Sequence, residues 1–384
     1  MRERNRALDI LRGIAVLAVI FHHLIGIHIY PEGWWLEYGY AYFLGTWLTH
    51  GWLGVSLFFV LSGFVLFLPY AQGRRQFRVS GDFLDFYRHR SRRLLPLYYI
   101  STCVALFILG NFWPHYNLER AFAMATLTFN FFPKYFAPPG NTPLWSLGIE
   151  VWYCILFPAL ALLFLKPKAG VVFFWISVIA YLTRVAGGSL ESRAVSSSLI
   201  GHLGTFSLGM WIALSWVKNS RWTKWSPIFA FGSAVTGVLV MTGAALLYDM
   251  YAIEKGTEFS VWISAFFPLI FQLGSALLLM GLLVWGRRGN AFAWRSAWVL
   301  ELIGMMCYSI YLWHVPLIGG LRPTITRPLE ILVYLGVLFF FSWLSYRYIE
   351  FGHIKDWRVL LPSNPLRSTH ESLERKAKGN SPDG

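Results

Sequence analysis

Charge is scarce in this 384-residue chain: Asp, Glu, Lys and Arg make up 14% of it, against about 25% in soluble domains. With 56% hydrophobic residues and a mean hydropathy of +0.50, the composition excludes an ordinary soluble globular domain. Cysteine is nearly absent. Cys103, Cys154 and Cys307 sit far apart inside apolar runs, which excludes a disulfide framework and a thiolate metal site and leaves buried apolar thiols. There is no phosphate-cradling glycine loop, no hydrolase elbow and no internal repeat, so the common nucleotide-binding and serine-hydrolase signatures are missing. Two histidines and a glutamate at membrane depth lack the compact spacing of a metal motif, so no metal is expected.

Long apolar runs fill the space. Ten of them have spanning length, at about 8–29, 52–70, 94–112, 144–165, 170–186, 199–217, 227–248, 261–285, 298–319 and 329–349. The expected fold is an all-α polytopic membrane protein of about ten transmembrane helices. Residues 1–350 form one membrane domain and 351–384 a cytoplasmic, disordered basic tail rich in Ser, Asn, Pro, Lys and Gly. Two semi-apolar stretches, 40–50 and 118–132, are candidates for re-entrant or interfacial helices. The net charge of +14 is no nucleic-acid signature here; read loop by loop, it gives topology. With the N-terminus inside, 24 of the 33 Lys and Arg residues fall in cytoplasmic segments, which places both termini in the cytoplasm. Residues 1–29 begin like a signal peptide, but the apolar run is too long and no small-residue cleavage site follows. Trp34, Trp35, Trp222 and Trp225 suit an interfacial belt against membrane lipids.

Polar residues inside the runs carry the functional signal. Arg12 and His23 lie eleven residues apart in the first run, so on a helix they share a face about 16 Å apart along the axis. Asp9 falls on the same stripe, positioned to pair with Arg12. A buried arginine costs about 2.5–3.5 kcal/mol even on the mild insertion scale, and such residues usually face a bundle interior. Glu150 lies about two turns inside the fourth span, behind Trp145 and Ser146, and His314 lies near the outer end of the ninth. Counted from the span ends, His23, Glu150 and His314 share one layer about 8–10 Å below the outer surface. That layer suits either acid–base chemistry, with Glu150 orienting a histidine, or structural hydrogen bonding between helices. His202 is a further polar residue at the start of the sixth span. The densest basic stretch runs from Arg74 to Arg93, with Arg90 and Arg93 on one helical face. It reads either as positive-inside anchoring or as a phosphate clamp.

Taken together, these segments resemble the acyltransferase-3 family of integral membrane O-acyltransferases. Leu8-Asp9-Ile10-Leu11-Arg12-Gly13 with His23 is similar to the family's arginine–ten-residue–histidine signature. Gly54-Val55-Ser56-Leu57-Phe58-Phe59-Val60-Leu61-Ser62-Gly63-Phe64 resembles its second-helix motif. Arg90-Ser91-Arg92-Arg93 resembles the basic loop, and Trp145-Ser146-Leu147 with Glu150 the tryptophan–serine–leucine–glutamate motif. Tyr308-Ser309-Ile310-Tyr311-Leu312-Trp313-His314 and Tyr346-Arg347-Tyr348-Ile349-Glu350 complete the order. One departure is Glu350-Phe351-Gly352, where the family places a proline two residues after the glutamate.

The resemblance implies acyl transfer in a bacterial inner membrane, usually of acetyl from acetyl-coenzyme A, onto a hydroxyl of a carbohydrate or glycolipid. Arg12, Arg90 and Arg93 are then expected on the coenzyme A phosphates, with His23 as base or transient acyl acceptor. Glu150 would balance the histidine layer. Asp9, Trp145, Ser146 and His314 would line the acceptor side. Some members carry an added extracytoplasmic hydrolase-like domain. Ten spans leave no room for one here, so the chain either completes the transfer or uses a separate extracytoplasmic transferase partner. The competing reading is a proton-coupled transporter or flippase of a lipid-linked sugar, which also places Asp, Arg, His and Glu inside a helical bundle.

Overall fold

The computed structural model describes residues 5–28, 47, 50–108, 118–138, 140–190, 192–219, 222, 224–253, 257–288, 297–323, 327–352, 354 and 361. Among them every regular element is helical, as a lipid environment demands, since only helices and closed barrels satisfy all backbone groups internally. In chain order, α1 spans Arg6–His28, α2 Gly54–Ala71, α3 Ser80–Ile108 and the short α4 Leu118–Ala125. Next come α5 Leu144–Phe164, α6 Ala169–Ser189, α7 Leu199–Lys218 and α8 Pro227–Ile253. The chain continues with α9 Glu258–Arg288, α10 Trp298–Met305, α11 Cys307–Leu321 and α12 Pro328–Ser345.

Eight helices among the described residues are long and apolar enough to cross a membrane alone. The α10–α11 pair, bent by 77°, makes a ninth. The span expected over 94–112 is the apolar second half of α3, whose first half carries the basic stretch. Of the 40–50 stretch only Trp47 and His50 are described, and Trp34, Trp35 and most of the expected tail lie outside the described residues. The 118–132 stretch forms α4 and a turn of 3-10 helix at Phe129–Phe131. Leu118 and Phe122 are exposed there, as on a helix lying in the membrane interface. In the bundle, α2 and α7 are central and largely buried, whereas α6 and α12 present exposed Phe, Trp and Leu outward to lipid.

Glycine sets the closest contact. A β-carbon on Gly304 of α10 would lie 1.6 Å from the Asp9 carbonyl oxygen, and one on Gly13 of α1 would lie 2.2 Å from that of Leu300. The two backbones touch, and buried Glu301 anchors the same contact through Arg6, Nε to Oε2 at 2.8 Å. The Gly304→Ala protein is therefore expected to lose about 1–3 kcal/mol or more through overpacking, seen as a lower thermal midpoint in detergent. An unchanged midpoint would mean that the helices are not this close.

The basic face of α3 is fixed by its cap. The Asp82 carboxylate accepts from the backbone N–H groups of Arg78 and Val79 at 2.7 and 3.1 Å, the backward half of a capping box. These two hydrogen bonds hold its carboxyl below the usual aspartate value. A depressed native value contributes stability above the unfolded value of about 4 and loses it as the pH falls through the native one. The stability gap between wild type and Asp82→Ala should accordingly stay constant from neutral pH down to about 4 and close below that.

The break between α10 and α11 has no proline or glycine at Met306-Cys307. It is held from elsewhere in the chain. After α12 the backbone widens into a π-turn at Tyr346–Glu350, which turns the fully buried Glu350 toward the new N-terminus of α11. Ser309 donates both its hydroxyl, at 2.5 Å, and its backbone N–H to this carboxylate, so one side chain caps the helix that the break exposes. The Tyr308 hydroxyl donates to the Leu94 carbonyl at 2.5 Å and ties α11 to α3.

Candidate active site

A cavity of about 310 Å³ opens among α1, α2, α3, α5 and α11, within the range of small-molecule sites. Its basic end carries Arg12, Arg75, His89, Arg90, Arg92 and Arg93. Further along the helices the wall becomes hydroxyl and carboxylate: Ser62, Ser146, Glu150 and Tyr311. Glu350 and Cys307 line it beside the arginines. Arg93 Nε lies 3.7 Å from Glu350 Oε2, an ion pair beyond hydrogen-bond reach. Among the described residues Arg90 Nε, Arg93 Nε and Glu350 Oε2 are buried without a hydrogen-bond partner. Buried donors are nearly always satisfied in native proteins, so guanidinium nitrogens left open in a cavity mark a place for an anion.

The histidines lie past the hydroxyl end. His23 and His314 pair edge to face with ring centroids 5.0 Å apart, and the Tyr311 ring is 5.3 Å from that of His314. His23 Nδ1 bonds the Val19 carbonyl at 2.8 Å and His314 Nδ1 that of Tyr311 at 2.6 Å. A carbonyl only accepts, so Nδ1 carries the proton on both rings and Nε2 is the basic nitrogen. Among the described residues His314 Nε2 is buried without a hydrogen-bond partner. Tyr311 Oη bonds Ser146 Oγ at 2.7 Å and donates to the Pro143 carbonyl at 3.0 Å. The polar wall of the cavity thus runs from the arginine end to Ser146 and Tyr311, and the Tyr311 ring stands beside the paired imidazoles.

The expected site residues divide into three groups. Arg12, Arg90, Arg93, Ser146 and Glu150 line the cavity. His23 and His314 come together just beyond it. Asp9 pairs with Arg12 at 3.3 Å, on the α1 face that meets Gly304, and Trp145 packs on His202 with ring centroids 5.8 Å apart. Glu150 takes its hydrogen bond from Ser62 at 3.2 Å, and the contacts of the two imidazoles do not include it. Its place is in the cavity with the arginines, because α5 turns this face to α2. Ser62, Arg75, Arg92, Tyr311 and Glu350 also belong to the wall. Ser62 and Tyr311 lie inside the quoted segments, where a hydroxyl in a strongly apolar run is the available signal. Glu350 closes another of the quoted segments, but its capping of α11 depends on the π-turn, which the sequence does not show.

The comparisons with known proteins agree on one family. The family model described as an acyltransferase domain matches residues 5–347. The O-acetyltransferase OatA of Staphylococcus aureus is 25% identical over 371 residues, covering 89% of this chain and 56% of that protein. The peptidoglycan O-acetyltransferase OatA of Listeria monocytogenes is 25% identical over 389 residues, covering 91% and 56%. The putative peptidoglycan O-acetyltransferase YrhL of Bacillus subtilis is 26% identical over 377 residues, covering 89% and 54%. The chain therefore spans about half the length of these relatives. No solved structure matches it.

Proposed function

The chain belongs to the acyltransferase-3 family of multi-pass membrane proteins, and on that premise we propose that it transfers acetyl from acetyl-coenzyme A to a saccharide hydroxyl. The donor enters from the cytoplasmic, basic end. The observation that supports this reading is a cavity with buried arginine nitrogens that take no hydrogen bond among the described residues at one end and, beyond Tyr311 at the other, a pair of imidazoles with basic Nε2 atoms. Arg90 and Arg93, with Arg12, take the donor phosphates, and the thioester arm runs along Ser62, Ser146 and Tyr311. His23 removes the proton of the acceptor hydroxyl through Nε2. The C–S bond of the thioester breaks as the new C–O bond forms, and the proton passes on to the departing thiolate. The relatives' names support a cell-wall saccharide as the acceptor class.

The test is coenzyme A release from acetyl-coenzyme A by the purified protein in detergent, with and without a crude glycan extract. Release that rises with extract is expected. Absence of both release and donor binding would shift the weight to a sugar carrier, which consumes no thioester. Cys307 offers a direct probe of donor position. It lines the cavity beside Arg12 and Arg93, so saturating acetyl-coenzyme A should slow its alkylation by a small maleimide about tenfold or more. Equal rates with and without donor would place the donor elsewhere.

A further inference from the structure

At the end of the bundle opposite the arginines, a second polar cluster lies outside the cavity. His50 Nε2 bonds Asp249 Oδ1 at 2.8 Å, joining the segment before α2 to the last turns of α8. The Asp249 side chain is 24% exposed, and its other oxygen takes no hydrogen bond among the described residues. Two half-buried rings stand beside it. Trp52 and Tyr248 meet at 66° with centroids 5.0 Å apart, backed by buried Phe267 at 5.0 Å from Tyr248. Trp47 donates its indole N–H to Thr242, also on α8, at 3.0 Å. The cluster is close to the histidines: a β-carbon on Gly51 would lie 2.0 Å from the Ala18 carbonyl and 2.9 Å from His22 Cβ. The segment that carries His50 and Trp52 is thereby pressed onto α1 within a turn of His23.

We propose that Asp249, Trp52 and Tyr248 form the subsite that binds the saccharide acceptor, with His50 as the positioning residue for the carboxylate. A pyranose has an apolar C–H face and a rim of hydroxyls. The corner between Trp52 and Tyr248 offers ring surface to the face, and the Asp249 oxygen that takes no hydrogen bond among the described residues accepts from two neighbouring hydroxyls in charge-assisted bonds. Few polar groups among aromatic walls is the usual make-up of a small-molecule site. A fastening between α2 and α8 would need only the His50–Asp249 bond, and would leave the carboxylate oxygen and the aromatic corner without a role. The proposal rests on the acetyl-transfer reading for what happens to the bound sugar, though not for the binding itself.

Calorimetry on the full-length detergent-solubilised protein tests it, with chitotetraose as the probe. Wild type should bind the tetrasaccharide, and Trp52→Ala and Asp249→Asn should each weaken it about tenfold or more with acetyl-coenzyme A affinity and thermal midpoint held. His50→Ala should weaken it as well, and His50→Gln, which still donates to Asp249, should restore it. A wild type that does not bind chitotetraose overturns the proposal. So does equal saccharide affinity in all variants, or a parallel loss of midpoint and of both affinities, which would identify a structural fastening. Saccharide binding that depends on Trp52 and Asp249 without any coenzyme A release would sink acetyl transfer and leave this subsite standing.

Discussion

Alanine in place of His23 should lower acetyl transfer by about 10²–10⁴-fold, the usual worth of a positioned general base. Donor affinity should hold within about twofold if, as proposed, the arginine end binds the donor phosphates. His314→Ala should fall by a similar factor, because its ring packs directly on that of His23. The double variant should be no slower than the worse single one, as residues acting as one unit are not additive. Coenzyme A release and calorimetry on the same preparations provide the two readouts. Full turnover in His23→Ala would remove the base from this residue, and multiplicative losses would separate the two histidines into independent roles.

The second large effect concerns Arg90 and Arg93, which the structure distinguishes although both line the cavity. Arg90→Ala should weaken acetyl-coenzyme A binding by about ten- to a hundredfold, one charge-assisted contact, without loss of stability. Arg93→Ala should weaken binding similarly and also destabilise the protein. It strands the Glu350 carboxylate, which is fully buried 3.7 Å away, and an orphaned buried charge costs about 3–5 kcal/mol. Adding Glu350→Gln should recover the midpoint, because the amide still accepts from Ser309, and should leave donor affinity low. Recovery of both would show that Arg93 serves the fold rather than the donor.

What the sequence made legible follows from what periodicity and depth report. Nine of the ten expected spans meet a helix of matching extent, or the bent pair, because an apolar run of that length has few alternatives. Distance from a span end was enough to bring His23 and His314 to one level. It could not say which way Glu150 faced, because a rotation about α5 leaves its depth unchanged. The break at Met306 was invisible for a different reason. Its cause lies in Glu350, 41 residues beyond the Ser309 that it holds, and no local propensity encodes that capture. The missing proline after Glu350 concerns the helix exit, and the carboxylate reaches the cavity through the π-turn regardless.

The capture of α11 by Glu350 also bears on biosynthesis. Arg12, Arg90 and Arg93 are made early, on the first and third helices, yet the carboxylate that neutralises Arg93 and seals the N-terminus of α11 follows α12. A chain still on the ribosome with α12 not yet inserted would hold Arg93 without its carboxylate partner and the broken span without its cap. The cavity therefore reaches its finished shape only once α12 has inserted, so a chain halted before that helix has no assembled pocket.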